Sequence, residues 1–381
     1  MTIPTPTPSA PIVQGAAFRA QRLGAISRCI AIASLGAVVA GCGGGGEGDA
    51  SPVSAPPVSP APGAPAPAPA PAPGVNVYGD VRGATLGVGA PLNGALPFPA
   101  DNAWNADVTM RAVDPNSDNL IASIGLTRGL FPDFGAGLWE GAPIGIPYVV
   151  VAGTQPRVAV QFTDYGDESD AGPYPIPPNA PIEGGPSSAG DRHVIVIDRD
   201  NNRLYETGNS YPQPDGSWRA SGGAVFHLDN NNVRPTAQPR WTSADAAGLP
   251  IFPGLVRYDE ASLGPGGIRH ALRFTVSQTR RAYVPPATHW ASSNTSLNLP
   301  PMGMRVRLKA GYAIPAGFSA ETRAILTALK THGMMVADNG SNWYLSGAPD
   351  ERWNNDRLKS ELRQVLGRDF EVVRMDGLVT P

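Results

Sequence analysis

Short apolar runs separated by turn residues dominate the chain beyond residue 140, and they predict β-strands. The runs are rich in Val, Ile, Leu and Phe and are bounded by Gly, Pro, Asn and Asp, which favour tight turns. The first two runs are expected to pair around a Gly-Thr-Gln-Pro turn, and the next two around Arg199-Asp200-Asn201-Asn202. In chain order, strands are expected at residues 148–151, 158–162, 193–198, 203–206, 224–228, 268–276 and 304–310.

Helical spacing of apolar residues appears only near the end of the sequence. Ser319 is a good N-cap for a helix that carries Ile325, Leu326 and Leu329 on one face and ends at Gly333. A second helix is expected to end at Gly367, with its apolar face formed by Leu358, Leu362, Val365 and Leu366.

Between the two helices, the pattern predicts a β-hairpin from residues 334–337 and 343–345, joined by Asp338-Asn339-Gly340. Many short strands with Pro and Gly turns are typical of a β-sandwich or jelly roll. The expected fold is therefore mainly β with a C-terminal α/β segment, or α+β overall.

Composition divides the chain into a low-complexity arm and a globular part. Among 381 residues there are 45 Gly and 42 Pro, and they are unevenly spread. The formal net charge of −3 excludes a strongly basic nucleic-acid binder. Since no run of 18 or more apolar residues occurs, a polytopic membrane protein is excluded as well.

Residues 1–41 have the pattern of a secretory signal. Arg19, Arg22 and Arg28 precede a short run of small and apolar residues, and this segment holds no acidic residue. The run ends in Val39-Ala40-Gly41-Cys42, which resembles the lipobox of bacterial lipoproteins. The resemblance implies cleavage before Cys42, acylation of this cysteine by groups such as palmitate, and, from Gly43, an outer-membrane location. The alternative is an ordinary signal peptide with an incidental cysteine.

Residues 42–95 are interpreted as a linker that follows the anchor. Ten prolines lie between residues 51 and 74, where alternation with Ala favours an extended polyproline conformation. Such a segment buries too little apolar surface to fold. A single globular, β-rich domain is therefore expected over residues 96–381.

Several segments of this domain together resemble a group of secreted bacterial proteins. The resemblance implies one extended domain and secretion, and it assigns no activity and no catalytic residue. The segments are Phe98-Pro-Ala-Asp-Asn-Ala-Trp104, Tyr174-Pro-Ile-Pro-Pro178, Pro181-Ile-Glu-Gly-Gly185, Gly190-Asp-Arg-His193, Ala246-Ala-Gly-Leu-Pro250, His270-Ala-Leu-Arg-Phe-Thr275 and Ala337-Asp-Asn-Gly-Ser341.

Strand alternation suggests a basic surface. In the run 268–276, Arg269 and Arg273 point away from the apolar side chains, as do Arg305, Arg307 and Lys309 in the run 304–310. If both strands lie in one sheet, these cations could bind carboxylates or sulfates of a polyanionic glycan. The alternative is a solvated sheet face whose cations pair with Asp or Glu of neighbouring strands.

Candidate acid and base groups are scattered along the sequence. His193 and His270 could act as bases or be hydrogen-bonded core histidines, while His289, beside Trp290 in a polar loop, suits an exposed acid or base. Glu206 and Glu260 are candidate carboxyls of a glycosidase, and Trp290 suits stacking on a sugar.

The acidic cluster Asp167, Glu168 and Asp170 could bind calcium or only solvate a loop. The histidine spacings match no zinc motif, and no cofactor is predicted.

These features favour a lipid-anchored protein of the cell envelope that acts on or binds carbohydrate. As an enzyme it would be an anionic-polysaccharide lyase or a glycoside hydrolase. The alternative is a non-catalytic lipoprotein for surface binding, adhesion or envelope maintenance. The expected partner is a polysaccharide or other glycan. Contact with the membrane is expected only through acylated Cys42, and contact with nucleic acid is not expected.

Overall fold

The computed structural model describes residues 77–237 and 240–381. The predicted signal sequence, Cys42 and residues 42–76 of the predicted linker lie outside this part of the chain. None of the helices in the described part is long and apolar enough to span a membrane.

Short strands make up most of the regular structure of the described residues. In chain order they are β1 (Val77–Tyr78), β2 (Gly87–Val88), β3 (Ala95–Leu96), β4 (Phe131–Asp133), β5 (Leu138–Trp139), β6 (Ala142–Pro143), β7 (Val149–Val151), β8 (Val160–Phe162), β9 (Val194–Asp198), β10 (Arg203–Gly208), β11 (Tyr211–Pro212), β12 (Trp218–Ala220), β13 (Gly222–His227), β14 (Leu272–Val276), β15 (Arg305–Leu308), β16 (Met334–Asn339), β17 (Tyr344–Ser346) and β18 (Phe370–Val372).

The helices are fewer and shorter. The α-helices are α1 (Ser117–Ile124), α2 (Tyr258–Ala261), α3 (Ala320–Thr331) and α4 (Asn355–Leu362), and 3₁₀ turns are found at Gly166–Glu168, Phe252–Gly254 and Gly367–Asp369. The predicted cap of α3 is confirmed, since the Ser319 hydroxyl accepts a hydrogen bond from Thr322 N. Helix α4 ends at Leu362, earlier than predicted, so Val365 lies in the bend that follows and Leu366 forms an isolated β-bridge with Gly129.

Two sheets dominate the architecture. The first has five strands in the order β13-β10-β9-β7-β2, and the second has six in the order β18-β15-β16-β14-β17-β4. The predicted hairpin between β9 and β10 is confirmed, with Asp198 opposite Arg203. The predicted mainly β fold with some helices is therefore confirmed.

Both faces of the five-strand sheet are buried. Ile195 and Ile197 of β9 belong to a large hydrophobic core that also contains β14, β16 and helix α3. Val194 and Val196, on the opposite face, pack in a smaller cluster with Tyr174 and Trp218. This explains why β9 is a continuous apolar run rather than an alternating one.

Two predicted strand pairs are wrong. Strand β7 pairs with β2 and β9, whereas β8 pairs with β12 in a separate three-strand sheet. Strands β16 and β17 do not form a hairpin either, because β14 lies between them, parallel to β16 and antiparallel to β17. In both cases the local turn signal is present, but the strands pair with partners from elsewhere in the chain, which a turn pattern does not specify.

The folded unit begins earlier than residue 96, the predicted start of the domain. Val81, Ala84 and Leu92 are almost fully buried in the large core, and β1 pairs with β3. The Gly and Pro content of residues 77–95 therefore reflects tight turns within the fold rather than a continued linker.

Candidate functional site

Strand β14 places Arg273 at the centre of the candidate site. Leu272 and Phe274 are buried in the large core, so alternation directs Arg273 to the other face of the sheet. Its guanidinium donates hydrogen bonds to Asp245 Oδ2 at 2.9 Å and to Ser346 Oγ at 2.8 Å. Only 4% of Arg273 is exposed, and these internal partners hold its charge.

A β-bulge in β16 directs Asp338 to the same face. Phe274 lies opposite Val336, but the next residue, Thr275, lies opposite Asp338, so Ala337 is an extra residue in the strand. A bulge of one residue reverses the side-chain alternation beyond it. Asp338 thereby faces the Arg273 side of the sheet. The free Ala337 carbonyl accepts a hydrogen bond from Ala247 N at 3.1 Å.

The edge of the six-strand sheet contributes Asp133. Strand β4 runs parallel to β17, with Asp133 beside Ser346, the hydroxyl partner of Arg273. Asp133 is exposed to solvent. Arg273, Ser346 and Asp133 thus form a polar row across three neighbouring strands.

The five-strand sheet supplies a histidine–carboxylate pair. His193 immediately precedes β9, and its Nδ1 donates to Glu183 Oε2 at 2.5 Å while its Nε2 donates to Ala244 O at 2.9 Å. The Glu183 loop is held in place by a hydrogen bond from its backbone N to His193 O. Because both ring nitrogens face acceptors, the hydrogen bonding favours the imidazolium form of His193.

One loop joins the two halves of the site. Glu206 of β10 accepts hydrogen bonds from Ile251 N and Phe252 N at 2.9–3.0 Å. Nearer its start, the same loop carries Asp245, whose Oδ1 accepts from Ala247 N and whose Oδ2 accepts from Arg273. The loop over residues 243–254 is therefore tied by carboxylates to both sheets.

We call this constellation the acidic recess. Its carboxyls differ in their access to water: Asp133 and Asp191 are exposed, Asp338 and Glu183 are half-buried, and Asp245 is buried. Solvent therefore reaches one side of the cluster and protein encloses the other. The recess consists of Asp133, Glu183, Asp191, His193, Asp245, Arg273 and Asp338.

Burial and like charges raise the pKa of carboxyls in the recess. Desolvation and the neighbouring charge of Asp245 raise the pKa of Asp338 to about 7, although Arg273 opposes them. Desolvation also raises the pKa of Asp245. The two carboxyls Asp245 and Asp338 influence each other. Because Asp245 binds the Arg273 guanidinium directly, a proton shared by these two carboxyls belongs on Asp338. Desolvation, followed by the charge of Glu183, raises the pKa of Asp133.

In the His193–Glu183 pair, the pKa shifts favour the charged form of both groups. Desolvation alone would lower the pKa of His193, but the charge of Glu183 outweighs it and raises this pKa to about 10. Desolvation likewise opposes ionisation of Glu183, and the charge of His193 outweighs it and lowers the pKa of Glu183. At neutral pH the pair is therefore an imidazolium–carboxylate ion pair, and His193 is not a free base.

Substitution of His193 by Gln is expected to lower the free energy of unfolding by about 1–3 kcal/mol at pH 6, because Glu183 loses its charged partner. The raised pKa of His193 gives stability that is complete below its unfolded value of 6.5 and is lost as the pH rises through about 10. Urea unfolding of both proteins should therefore show a difference that shrinks between pH 6.5 and 10.5. A difference that stays constant with pH would contradict the ion pair.

Two aromatic side chains lie in loops next to segments that carry recess carboxyls. The β5–β6 hairpin exposes 71% of Trp139, and a Cβ atom on Gly185 would lie 3.2 Å from Ala142 at the base of this hairpin. On another side, Asn339 Nδ2 donates to Ala291 O at 3.1 Å, which holds the Trp290 loop beside the end of β16. Both aromatic loops thus adjoin segments that carry recess carboxyls.

The structure brings two predicted site residues together elsewhere, in a second buried cluster. Glu260 Oε2 accepts from His270 Nε2 at 3.0 Å, and Arg257 donates to Glu260 Oε1 at 2.5 Å. Desolvation opposes ionisation of Glu260, but Arg257 and His270 outweigh it and lower its pKa to about 2. Glu260 is therefore ionised and fully engaged by internal partners.

The predicted strand cations do not form an open basic surface. Arg307 is buried against Glu371, at 2.7 Å, and Arg305 donates to Ala103 O beneath the segment that covers this face. Arg269 precedes β14 and donates to Gly94 O, and Lys309 donates to Arg368 O. Alternation correctly separates these cations from the core, but backbone carbonyls and carboxylates of the protein satisfy them.

The remaining predicted site residues are Glu206, His289 and Trp290, and each is held by contacts within the protein. Glu206 is fully buried, and desolvation raises its pKa to about 7 despite the hydrogen bonds from Ile251 and Phe252. His289 is half-buried next to the recess, with Nδ1 donating to Ala246 O at 2.9 Å. Trp290 packs on Tyr283 and on the guanidinium of Arg240, which lies 4.5 Å from its ring centroid.

Two of the three acids in the predicted calcium cluster are hydrogen-bonded to other groups of the protein. Glu168 accepts from Thr242 N at 2.9 Å, and Asp170 accepts from Val225 N and pairs with Arg234, while Asp167 is exposed. Within residues 77–237 and 240–381, no group of three or more metal-ligating side chains is present. Calcium binding at Asp167, Glu168 and Asp170 stays a prediction.

Sequence reasoning missed most acids of the recess. Asp133, Glu183, Asp191, Asp245 and Asp338 come from five separate segments, and only His193 and Arg273 were singled out. A signal was nevertheless present, since Glu183, Asp191 and Asp338 all lie within the segments that resemble secreted bacterial proteins, and Asp245 directly precedes another of them.

The chemistry of the recess follows from its own residues. The resemblance of the chain to a lipoprotein and to secreted bacterial proteins stays a prediction. No protein-family model, no curated protein and no solved structure matches this chain.

Proposed function

We propose that this protein is a glycan hydrolase whose acid–base chemistry takes place in the acidic recess. The observation that carries the proposal is the position of half-buried Asp338 between the Asp245–Arg273 pair and the exposed Asp191, which raises the pKa of Asp338 to about 7. A carboxyl with a raised pKa beside a second carboxyl is the arrangement that hydrolysis of a glycosidic bond requires.

In this mechanism Asp338 donates its proton to the leaving glycosidic oxygen. Asp191 is the partner carboxylate, because it is exposed and its charge raises the pKa of Asp338. Asp191 would activate a water molecule, or attack the sugar directly if the two carboxyls are only about 5 Å apart. The Asp245–Arg273 pair behind them sets the electrostatics and does not touch the substrate.

A polysaccharide lyase receives less support. Such an enzyme needs a free cation to neutralise a uronate, and the carboxylate of Asp245 already neutralises Arg273. The recess itself is lined by acids, which would repel an anionic sugar. A substrate that is neutral at the cleaved bond fits these charges better.

The test is incubation of the purified full chain with a panel of neutral and uronate-containing polysaccharides. New reducing ends that increase with time would support hydrolysis, and products absorbing in the ultraviolet would instead report elimination. No new product from any polysaccharide of a broad panel would count against a catalytic role.

A non-catalytic glycan-binding protein is the second candidate, favoured by the exposed rings of Trp139 and Tyr211. Both candidates predict binding of a polysaccharide. Only the hydrolase predicts that binding is accompanied by cleavage that depends on Asp338.

We also propose that the chain is a lipoprotein of the cell envelope, anchored through Cys42. Substitution of Cys42 by Ser is expected to abolish incorporation of radioactive palmitate and to move the protein from the membrane pellet to the soluble fraction. The matched control is Cys29→Ser, which alters the only other cysteine and should leave both results unchanged. Equal labelling of the wild type and the Cys42 variant would contradict the anchor.

A further inference from the structure

A small pocket lies beside the recess. Its cavity of about 260 Å³ is lined by Thr163, Asn209, Tyr211, Arg219 and Ala220. The pocket adjoins a segment of the recess, because Asn209 N donates a hydrogen bond to the backbone carbonyl of Asp191 at 2.6 Å. This volume lies below the about 300–1,000 Å³ of sites for drug-sized ligands, and it suits a single ring rather than an extended molecule.

The Tyr211 ring in this pocket is held rigidly. Arg192 covers one face of the ring, with its guanidinium carbon 4.1 Å from the centroid. Arg192 is itself 2% exposed and donates to the carbonyls of Ser210, Pro186 and Ser188. Together with a further hydrogen bond to Gly185 O, Arg192 has four backbone partners, so a firmly held cation supports the ring, and 43% of Tyr211 remains exposed.

Polar groups surround the exposed part of the ring. Asn209 adopts a positive φ of 52°, which directs the chain out of β10 and leaves its side chain exposed beside Tyr211. Arg219 lies directly opposite Tyr211 on β12 and is exposed as well. Within the described part of the chain, the amide of Asn209 and the guanidinium of Arg219 have no hydrogen-bond or ion-pair partner.

We propose that this pocket is a second sugar subsite, which binds a pyranose ring one or more units away from the bond placed in the recess. The apolar face of a sugar ring would stack on Tyr211, and its hydroxyls would bind the amide of Asn209 and the guanidinium of Arg219. The inference rests on the proposed function for the identity of its ligand. It implies that the substrate is a chain rather than a single sugar.

The experiment is affinity electrophoresis of the full chain in native gels that contain xyloglucan, arabinoxylan, galactomannan or polygalacturonate. At least one polysaccharide should retard the wild type, and Tyr211→Ala should weaken the apparent affinity about tenfold. Tyr211→Phe should retain most of the retardation, since the ring is kept. The matched control is Tyr312→Ala, which alters a half-buried tyrosine in a different pocket with Lys309 and Arg368.

The outcomes separate this inference from the proposed function. Retardation that depends on Tyr211 without any cleavage would uphold the subsite and refute the hydrolase. Cleavage of a polysaccharide with unchanged KM in Tyr211→Ala would refute the subsite alone. No retardation in any gel, or an equal loss in Tyr312→Ala, would also overturn the subsite.

Discussion

Replacement of Asp338 by Asn is expected to reduce glycan turnover by about 10²–10⁴-fold. The amide has nearly the same shape as the carboxyl, but it cannot donate a proton to a leaving oxygen. Binding should change little, so kcat should fall while KM stays close to that of the wild type. The measurement is the rate of formation of reducing ends on the polysaccharide that responds in the panel.

The same variant is expected to be more stable than the wild type at pH 8. The pKa of Asp338 is raised from 3.8 to about 7, so ionisation costs more in the folded than in the unfolded state. This cost is absent below pH 3.8, grows as the pH rises, and is complete above about pH 7. The Tm of Asp338→Asn should therefore exceed that of the wild type at pH 8 and match it near pH 4.

The matched control is Asp376→Asn, which alters an exposed aspartate held by surface ion pairs with Arg111 and Arg374. Such pairs contribute little to stability, so activity and Tm should be unchanged. Full activity in Asp338→Asn, together with an unchanged Tm at both pH values, would remove Asp338 from the mechanism.

Breaking the buried Asp245–Arg273 pair is expected to destabilise the fold by about 3–5 kcal/mol. Asp245→Asn leaves the guanidinium of Arg273 buried without its direct ion-pair partner, and Arg273→Met leaves the Asp245 carboxylate uncompensated. Chemical denaturation should show that the double variant loses less than the sum of the two single variants. Additive losses would mean that the pair is not coupled.

The two single variants should shift the activity profile in opposite directions. The charge of Asp245 raises the pKa of Asp338, and the charge of Arg273 lowers it. The alkaline limb of kcat against pH should therefore move to lower pH in Asp245→Asn and to higher pH in Arg273→Met. If the Asp245–Arg273 pair had only a structural role, the two variants would lose activity without a shift in the alkaline limb of kcat against pH.

Local patterns predicted the parts of the fold that depend on neighbouring residues. The β9–β10 hairpin follows from two apolar runs around an Asp-Asn turn, and helix α3 follows from its Ser319 cap and its spacing of Ile325, Leu326 and Leu329. In both elements the interactions that decide the structure lie within a few residues of each other.

The arrangement of the site depends on distant contacts and was not predictable in this way. Strict alternation places Ala337, rather than Asp338, on the Arg273 face, and only the bulge in β16 reverses this order. The insertion of β14 between β16 and β17 is decided by burial of the whole sheet rather than by the Asp-Asn-Gly turn. Similarly, the partner of Arg273 comes from a loop 28 residues away.

Whether the proposed hydrolase has a proton donor depends on the protonation state of Asp338. The full chain labelled with ¹³C-aspartate can be titrated by carboxyl NMR and compared with Asp338→Asn, which identifies the signal of Asp338. If Asp338 is the proton donor, one signal should titrate near pH 7 and should be missing from the variant. Titration of this carboxyl near its ordinary value of 3.8 would leave the recess without a proton donor and would contradict the proposed hydrolase.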